Sequence, residues 1–578
     1  MPLTRRRFAS LLAAAPAAWA QRRARPNFLV IMADDLGFSD IGCYGGEVRT
    51  PHLGGLARRG VRFTQFYNAA RCCPTRAALL TGLYPHQAGV GHMVENRGLP
   101  AYQGYLSSRA ATMAEALKPA GYTVMMSGKW HVGENRPHWP VDRGFDQYFG
   151  LISGASNYFR LDPGRKMALN NEPYTPPEGG FYMTHAFSEH AVRMVREADA
   201  DKPLALYLAY TAPHWPLHAL PEDIAKYRGK YMMGWDRLRA ERYERLAAAG
   251  LIERRWKLPP RDEAVPAWDT LSQKEREEWD LRMAVYAAQI DAMDQGVGRV
   301  LEALRQTGRL DNTLVLFLAD NGGCHEGPHI GGGLEKSAKS PVPGGADSFT
   351  SYRRPWANAS NTPFRMFKSW VHEGGIASPL IAAWGDRIPN PGGLFHDPAH
   401  VIDILPTMMD LAGAPAAGRF AGRSFAPALR GQRLQARAVT GWGHQGHRAL
   451  RQGAWKLVSK HGQPWELYNL EEDRTELNDL APKEPERLAG MRRIYEEREG
   501  QCGGEPWGAF PPVPLPRPSM SFRVNAHDRG DDDKIVTLLR RMAEEDPSLD
   551  VHQDPETGDL IVGGLSELHV EVVAERIA

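Results

Sequence analysis

Four apolar runs constrain this chain more than any other feature. They are Asn27-Phe-Leu-Val-Ile-Met-Ala33, Tyr122-Thr-Val-Met-Met126, Leu204-Ala-Leu-Tyr-Leu-Ala209 and Thr313-Leu-Val-Leu-Phe-Leu-Ala319. A strand with one wet face alternates apolar and polar residues, whereas a strand covered on both faces has no need to. Stretches of helical character, such as Arg109 to Lys118, Ser188 to Ala198 and Met283 to Arg305, lie between the runs. The pattern predicts an α/β fold, a large, mainly parallel mixed sheet flanked by helices. Gly and Pro, at 58 and 44 residues, fit long loops rather than a helical bundle.

Each run stops where polar chemistry begins. The first leads into Asp34-Asp35, the second into Gly128-Lys129-Trp130-His131, the third into Pro213-His214 and the fourth into Asp320-Asn321. Sheets of this class place their sites beyond the carboxyl ends of the strands. A single Asp after a strand often does no more than cap the next helix. Four such ends in one sheet point to one site. Asp34, Asp35, Asp320 and Asn321 offer an all-oxygen ligand set suited to a hard cation, Ca2+ or Mg2+.

The remainder divides by composition. Residues 1–20 read as an export signal of the twin-arginine type: Arg5-Arg6-Arg7-Phe8 precedes a short apolar run that ends in Ala18-Trp19-Ala20. That run is shorter than the roughly 20 apolar residues a spanning helix needs. A periplasmic or secreted protein without a stable membrane anchor is expected. Residues 26–434 read as a catalytic domain and 435–500 as a smaller antiparallel subdomain. A Pro-rich linker follows at 501–518, then a short α+β tail at 519–578. Residues 322–363, rich in Gly, Ser and Pro, read as a long loop over the site. A net charge of +2 gives no reason to expect a nucleic acid partner, and five cysteines do not make a disulfide scaffold.

The most specific motif is Cys72-Cys73-Pro74-Thr75-Arg76, followed by Leu79-Leu80-Thr81-Gly82. It resembles the maturation signature of the sulfatase family. Only Cys72 has Pro two residues on and Arg four residues on. The resemblance implies that a formylglycine-generating enzyme oxidises Cys72 to an aldehyde whose hydrate is the nucleophile. One hydroxyl of a geminal diol attacks sulfur, and the second expels sulfate, so release needs no external water.

Further segments carry the resemblance across about residues 26–500, including those around Gly91-His-Met93 and Tyr231-Met-Met-Gly-Trp235, and the likeness is to bacterial arylsulfatases. It implies that Asp34, Asp35, Asp320 and Asn321 bind calcium together with the formylglycine at Cys72. Arg76 anchors that residue. Lys129 holds diol and sulfate oxygens, and His131 takes the diol's proton. His214, in Ala-Pro-His-Trp-Pro-Leu-His, and Lys368, in Phe-Lys-Ser-Trp-Val-His-Glu-Gly-Gly, bind sulfate and help protonate the leaving oxygen. The expected partner is a sulfate ester. The alternatives are a phosphonate or phosphate monoester hydrolase of the same fold, or a non-catalytic sulfate-ligand binding protein. Tyr44, Trp356 and Asn358 are candidates for the pocket lining.

The tail departs from this pattern. A helix over Lys534 to Glu544, strands at Asp550 to Gln553 and Leu560 to Val562, and a helix over Leu565 to Ile577 are expected. The segment resembles domain III of elongation factor G, without any P-loop upstream. A fusion or an assembly join near the linker is its simplest origin.

Overall fold

The computed structural model describes residues 25–327, 340, 342–415 and 420–501. Beyond these it describes 520–524, 535–536, 538–539, 542–543, 549–554, 557, 559–564 and 573. The expected export signal lies outside them, as do nearly all of the Pro-rich linker and positions 328–339 and 341 of the long loop.

The apolar runs form neighbouring strands of an 11-stranded sheet. Its principal strands are β1 (Asn27–Ala33), β2 (Val61–Tyr67), β3 (Thr123–Gly128), β4 (Gln147–Leu151), β5 (Leu204–Ala209), β6 (Thr313–Ala319) and β7 (Ala377–Ala383). They lie in the order β2, β7, β6, β1, β5, β3, β4, and β7 alone runs against its neighbours. Two apolar cores explain the uninterrupted runs. Leu29, Ile31 and Ala33 face one core and Phe28, Val30 and Met32 the other, so neither face of β1 meets water.

Helices cover both faces. On one side lie α2 (Met183–Glu197) and α3 (Gln273–Gln306), and on the other α1 (Cys72–Thr81). The helix expected at Arg109 to Lys118 is shorter, Met113–Leu117, started by a capping box between Thr112 and Glu115. The helix expected from Met283 begins ten residues earlier, where Ser272 and Glu275 cap each other.

A second sheet pairs β8 (Thr440–His444), β9 (His447–Gln452), β10 (Trp455–Ser459) and β11 (Glu466–Asn469) in an antiparallel meander. Leu450, Leu457 and Leu467 pack there against Met491 and Tyr495 of α4 (Pro485–Gln501).

Residues 505–578 form a separate compact unit. In it β12 (Met520–Val524), β13 (Asp550–Gln553) and β14 (Leu560–Gly564) make a small antiparallel sheet with β14 in the middle. Of these, β12 was unexpected and β14 runs two residues past its expected end, while the two expected helices fall largely outside the described residues. No helix among the described residues is long and apolar enough to cross a membrane.

Candidate active site

Strand register builds the site. Ala33 pairs with Ala319 across β1 and β6, so Asp34-Asp35 and Asp320-Asn321 emerge side by side. The Asp320 N–H donates to Ala33 O at 3.1 Å, and the Asp35 N–H donates to Asp320 Oδ1 at 3.2 Å. On the other side of β1, Met32 pairs with Ala209 of β5, and Ala209 pairs with Gly128 of β3. Lys129 therefore starts one strand over, its N–H donating to Ala209 O at 2.7 Å. Gly128 is required there: it has φ +122°, and a Cβ would stand 1.9 Å from the Ala209 oxygen.

The side chains form one buried charge cluster. Lys129 Nζ donates to Asp34 Oδ2 at 2.6 Å. Arg76, on α1, donates to Asp320 Oδ2 at 2.8 Å and to the Lys129 carbonyl at 3.0 Å. Lys368 Nζ lies 2.8 Å from Asp35 Oδ1, 3.0 Å from Asp35 Oδ2 and 3.3 Å from His214 Nε2. His214 Nδ1 is bonded to the Trp215 carbonyl, which places its proton there and leaves Nε2 as the acceptor. Asn321 Nδ2 donates to Asp35 Oδ1 at 2.7 Å. Two oxygens are left over: Asp34 Oδ1 and Asn321 Oδ1 are buried and accept no hydrogen bond.

Cys72 opens α1, and its side chain is 2% exposed. A hydrogen bond with Cys73 draws its thiol well below the usual range; burial opposes this, and Lys129 and His131 reinforce it. Burial pushes Asp34 up, but Lys129, His214 and Arg76 outweigh it and hold the carboxyl at about 2. Asp320 goes the other way, raised by burial and by the Asp34 charge. Burial lowers both His131 and His214, so each imidazole is neutral at pH 7. Burial also works against Lys368, but Asp35 outweighs it and keeps the ammonium protonated.

Two functional candidates occupy sparsely populated backbone. Asp35 has φ 62° and His131 has φ 55°, left-handed conformations that β-carbon residues adopt rarely. Gly154 makes room for His131, since a Cβ on it would stand 2.3 Å from the ring.

A cavity of about 260 Å³ reaches Cys72, His131, His214 and Lys368. Two larger cavities, of about 500 and 910 Å³, touch none of the residues expected to act. Sequence reasoning missed Arg71 and Glu326, which also line the site cavity. They form a buried ion pair, and Arg71 Nη1 donates to Ser369 Oγ at 2.6 Å. Arg71 adjoins the motif, but Glu326 sits in a loop with no periodicity to reveal it. Two expected pocket residues belong elsewhere. The Tyr44 hydroxyl bridges the carbonyls of Phe63 and Leu380 in the sheet. Trp356 donates to Trp279 O within a cluster of tryptophans. Asn358 is also absent from the cavity wall.

Comparison with known proteins identifies the family. The Sulfatase family model matches residues 26–414, the C-terminal N-sulphoglucosamine sulphohydrolase model matches 364–494, and Elongation Factor G domain III matches 515–578. An uncharacterized sulfatase of Schizosaccharomyces pombe is 37% identical over 526 residues, covering 83% of this chain and 94% of the relative. An arylsulfatase of Klebsiella aerogenes is 35% identical over 415 residues, 68% of this chain and 88% of the relative. Among solved structures, Ps i-CgsB in complex with k-i-k-neocarrahexaose superposes with TM-score 0.61 at 27% identity, covering 83% of this chain and 94% of that one. The chain belongs to the sulfatase family.

Proposed function

We propose that the chain hydrolyses sulfate monoesters to an alcohol or phenol and sulfate. Cys72, oxidised to formylglycine by a formylglycine-generating enzyme, is the nucleophile, and a divalent cation is held by Asp34, Asp35, Asp320 and Asn321. The observation that carries this reading is the pair of partnerless oxygens, Asp34 Oδ1 and Asn321 Oδ1. A buried acceptor left without a donor costs about 1–3 kcal/mol. A hard cation supplies what those two oxygens lack, and the donor set of carboxylates and an amide oxygen suits Ca2+ or Mg2+. The raised Asp320 carboxyl fits the same need for positive charge.

When bound, the cation supplies Lewis-acid stabilisation of substrate oxygens and of the nucleophilic hydroxyl. The chain's own groups do the rest. Lys368 and His214 line the cavity, where the Lys368 ammonium supplies positive charge for a bound sulfate, and the Lys129 ammonium, bonded to Asp34, adds its charge from within the cluster. His131, neutral through burial, accepts the proton of the hydroxyl that expels sulfate. Lys368, protonated and 3.3 Å from His214 Nε2, supplies the proton that leaves with the alcohol oxygen, directly or through that imidazole. Arg76 does not reach the cavity wall; it fixes Asp320 and the Lys129 backbone from behind. The twin-arginine-type segment at 1–20 directs the protein to the periplasm or outside, and the 519–578 tail has no part in this chemistry.

The test has two readouts on protein from a host with maturation activity. The peptide spanning Cys72 should carry a carbonyl oxygen in place of sulfur by mass spectrometry. Matched aryl sulfate and aryl phosphonate esters should be hydrolysed with the sulfate preferred. An unmodified thiol, in a host that matures a control sulfatase, sinks the nucleophile; a preference for phosphonate moves the chain to the sister chemistry.

A further inference from the structure

The nucleophile end of the site also gathers sulfur and imidazole donors, two of which, Cys73 and Met93, have no part in the hydrolytic reaction. Cys72, Cys73 and His131 each present a donor atom within 4.8 Å of the others, and all three side chains are buried. Cys73 Sγ lies 3.3 and 3.4 Å from the two ring nitrogens of His131. On its other side Cys73 Sγ is 3.8 Å from the thioether sulfur of Met93. These donors are sulfur and imidazole nitrogen, opposite in softness to the oxygens of Asp34, Asp35, Asp320 and Asn321.

Two of the spacings can be set against tetrahedral coordination. With metal–sulfur bonds near 2.3 Å and metal–nitrogen bonds near 2.0 Å, a sulfur–nitrogen edge of the tetrahedron is roughly 3.5 Å and a sulfur–sulfur edge roughly 3.8 Å. The 3.8 Å from Cys73 to Met93 matches the sulfur–sulfur edge, and the 3.3 and 3.4 Å from Cys73 to the two His131 nitrogens set the sulfur beside the ring, so that a turn of the imidazole brings one nitrogen to bear on the ion. The entry path exists as well, because the site cavity is lined by Cys72, Met93 and His131.

We propose that the chain whose Cys72 remains a thiol binds one Zn2+-class cation through Cys72 Sγ, Cys73 Sγ and a ring nitrogen of His131, with Met93 Sδ as the fourth donor. Binding deprotonates the two thiols, and the released protons go to solvent, so the thiolates balance the dication. The ion occupies both the sulfur that maturation must reach and the imidazole that catalysis needs, so a loaded chain is inactive and resists conversion. Conversion of Cys72 removes one of the two thiolates and opens the site. The inference does not depend on the sulfatase mechanism: it concerns the thiol form alone.

The experiment uses full-length protein from a host without maturation activity, its Cys72 shown by mass to be unmodified. Calcium in excess fills the oxygen site, and Co2+ is the spectroscopic probe. One equivalent should give thiolate-to-cobalt charge-transfer and tetrahedral visible bands, bleached stoichiometrically by Zn2+. Cys73→Ser should weaken binding at least a hundredfold, and Met93→Leu about tenfold, with circular dichroism showing each variant folded. If Cys73→Ser fails to fold, Cys73→Ala decides the point. Absence of the bands, or a folded Cys73 variant that binds as wild type does, overturns the proposal. Neither result bears on whether Cys72 can be converted, which the mass spectrum of the matured protein decides separately.

Discussion

Two of the buried charge clusters among the described residues share their ingredients but not their surroundings. At the junction of β7 with the second sheet, Glu373 accepts from Lys456 at 2.9 Å, from Arg474 at 2.9 Å and from Tyr67 at 3.0 Å. Glu476 completes the group, with Oε1 2.7 Å from Lys456 Nζ and Oε2 accepting from the Glu373 N–H at 3.0 Å. The Arg474 guanidinium also stacks on Phe364, 4.6 Å from the ring centre. Every carboxylate oxygen there has a hydrogen-bond or ion-pair partner, although Arg474 Nη2 donates to none, and the group clamps two sheets together. The strand-end cluster has the same ingredients but keeps Asp34 Oδ1 and Asn321 Oδ1 without a donor, and its members His214 and Lys368 line a cavity. Burial of charge alone does not mark function; the candidate is the buried cluster that keeps acceptors without donors and whose His214 and Lys368 line a cavity.

Replacing Cys72 breaks the comparison most sharply. Cys72→Ala should lower kcat/KM by on the order of 10⁴-fold or more, as nucleophile removal does. Its melting temperature should stay near wild type. Glu373→Gln should do the reverse: it leaves Arg474 without its buried carboxylate and costs about 3 kcal/mol in urea unfolding. Its activity per folded molecule should be preserved. A Glu373→Gln variant as stable as wild type would show that the second cluster clamps nothing.

Calcium sharpens the contrast further. At a hundred times its Kd, an ion that binds only the folded chain stabilises it by about 2.7 kcal/mol. That increment should appear in wild type and in Glu373→Gln, and vanish in Asp34→Asn and Asn321→Ala. Melting curves with calcium and with chelator read it directly. An equal increment in all four proteins places the cation elsewhere.

The two clusters were not equally legible. Asp34, Asp35, Asp320, Asn321, Lys129 and His214 each follow an apolar run, and parallel register carries such ends to one place, so a local pattern reported a tertiary fact. Cys72 and Arg76 were readable from the spacing of one motif. Glu373, Lys456, Arg474 and Glu476 span about a hundred residues and two sheets, and nothing near any of them in sequence announces the others. The start of α3 was missed for a related reason: Gln273 to Arg282 is mostly charged and shows no apolar stripe, and only the Ser272–Glu275 capping box marked it. Tyr44 and Trp356 were candidates for the pocket and fill the core instead, because a large aromatic reads the same in sequence in either place.

The smallest effect is a pH dependence, and it isolates the closed cluster. Burial pushes the Glu373 carboxyl up, but Lys456 and Arg474 outweigh it and hold it at about 2, against an ordinary value of 4.5. The unfolded chain therefore takes up this proton first as pH falls. The stability contributed by Glu373 is complete above pH 4.5 and is lost as pH falls from there toward 2. Integrated over that window it amounts to roughly 3 kcal/mol. Asp34 is also held at about 2, so wild type alone cannot assign the slope. The difference between wild type and Glu373→Gln can, because Asp34 is common to both. Urea unfolding at pH 6 and pH 3 should show the gap between the two proteins narrowing at the lower pH. A gap that stays constant would mean that hydrogen-bond geometry, not ionisation, makes Glu373 matter, and the two clusters would then differ in charge state as well as in unspent valence.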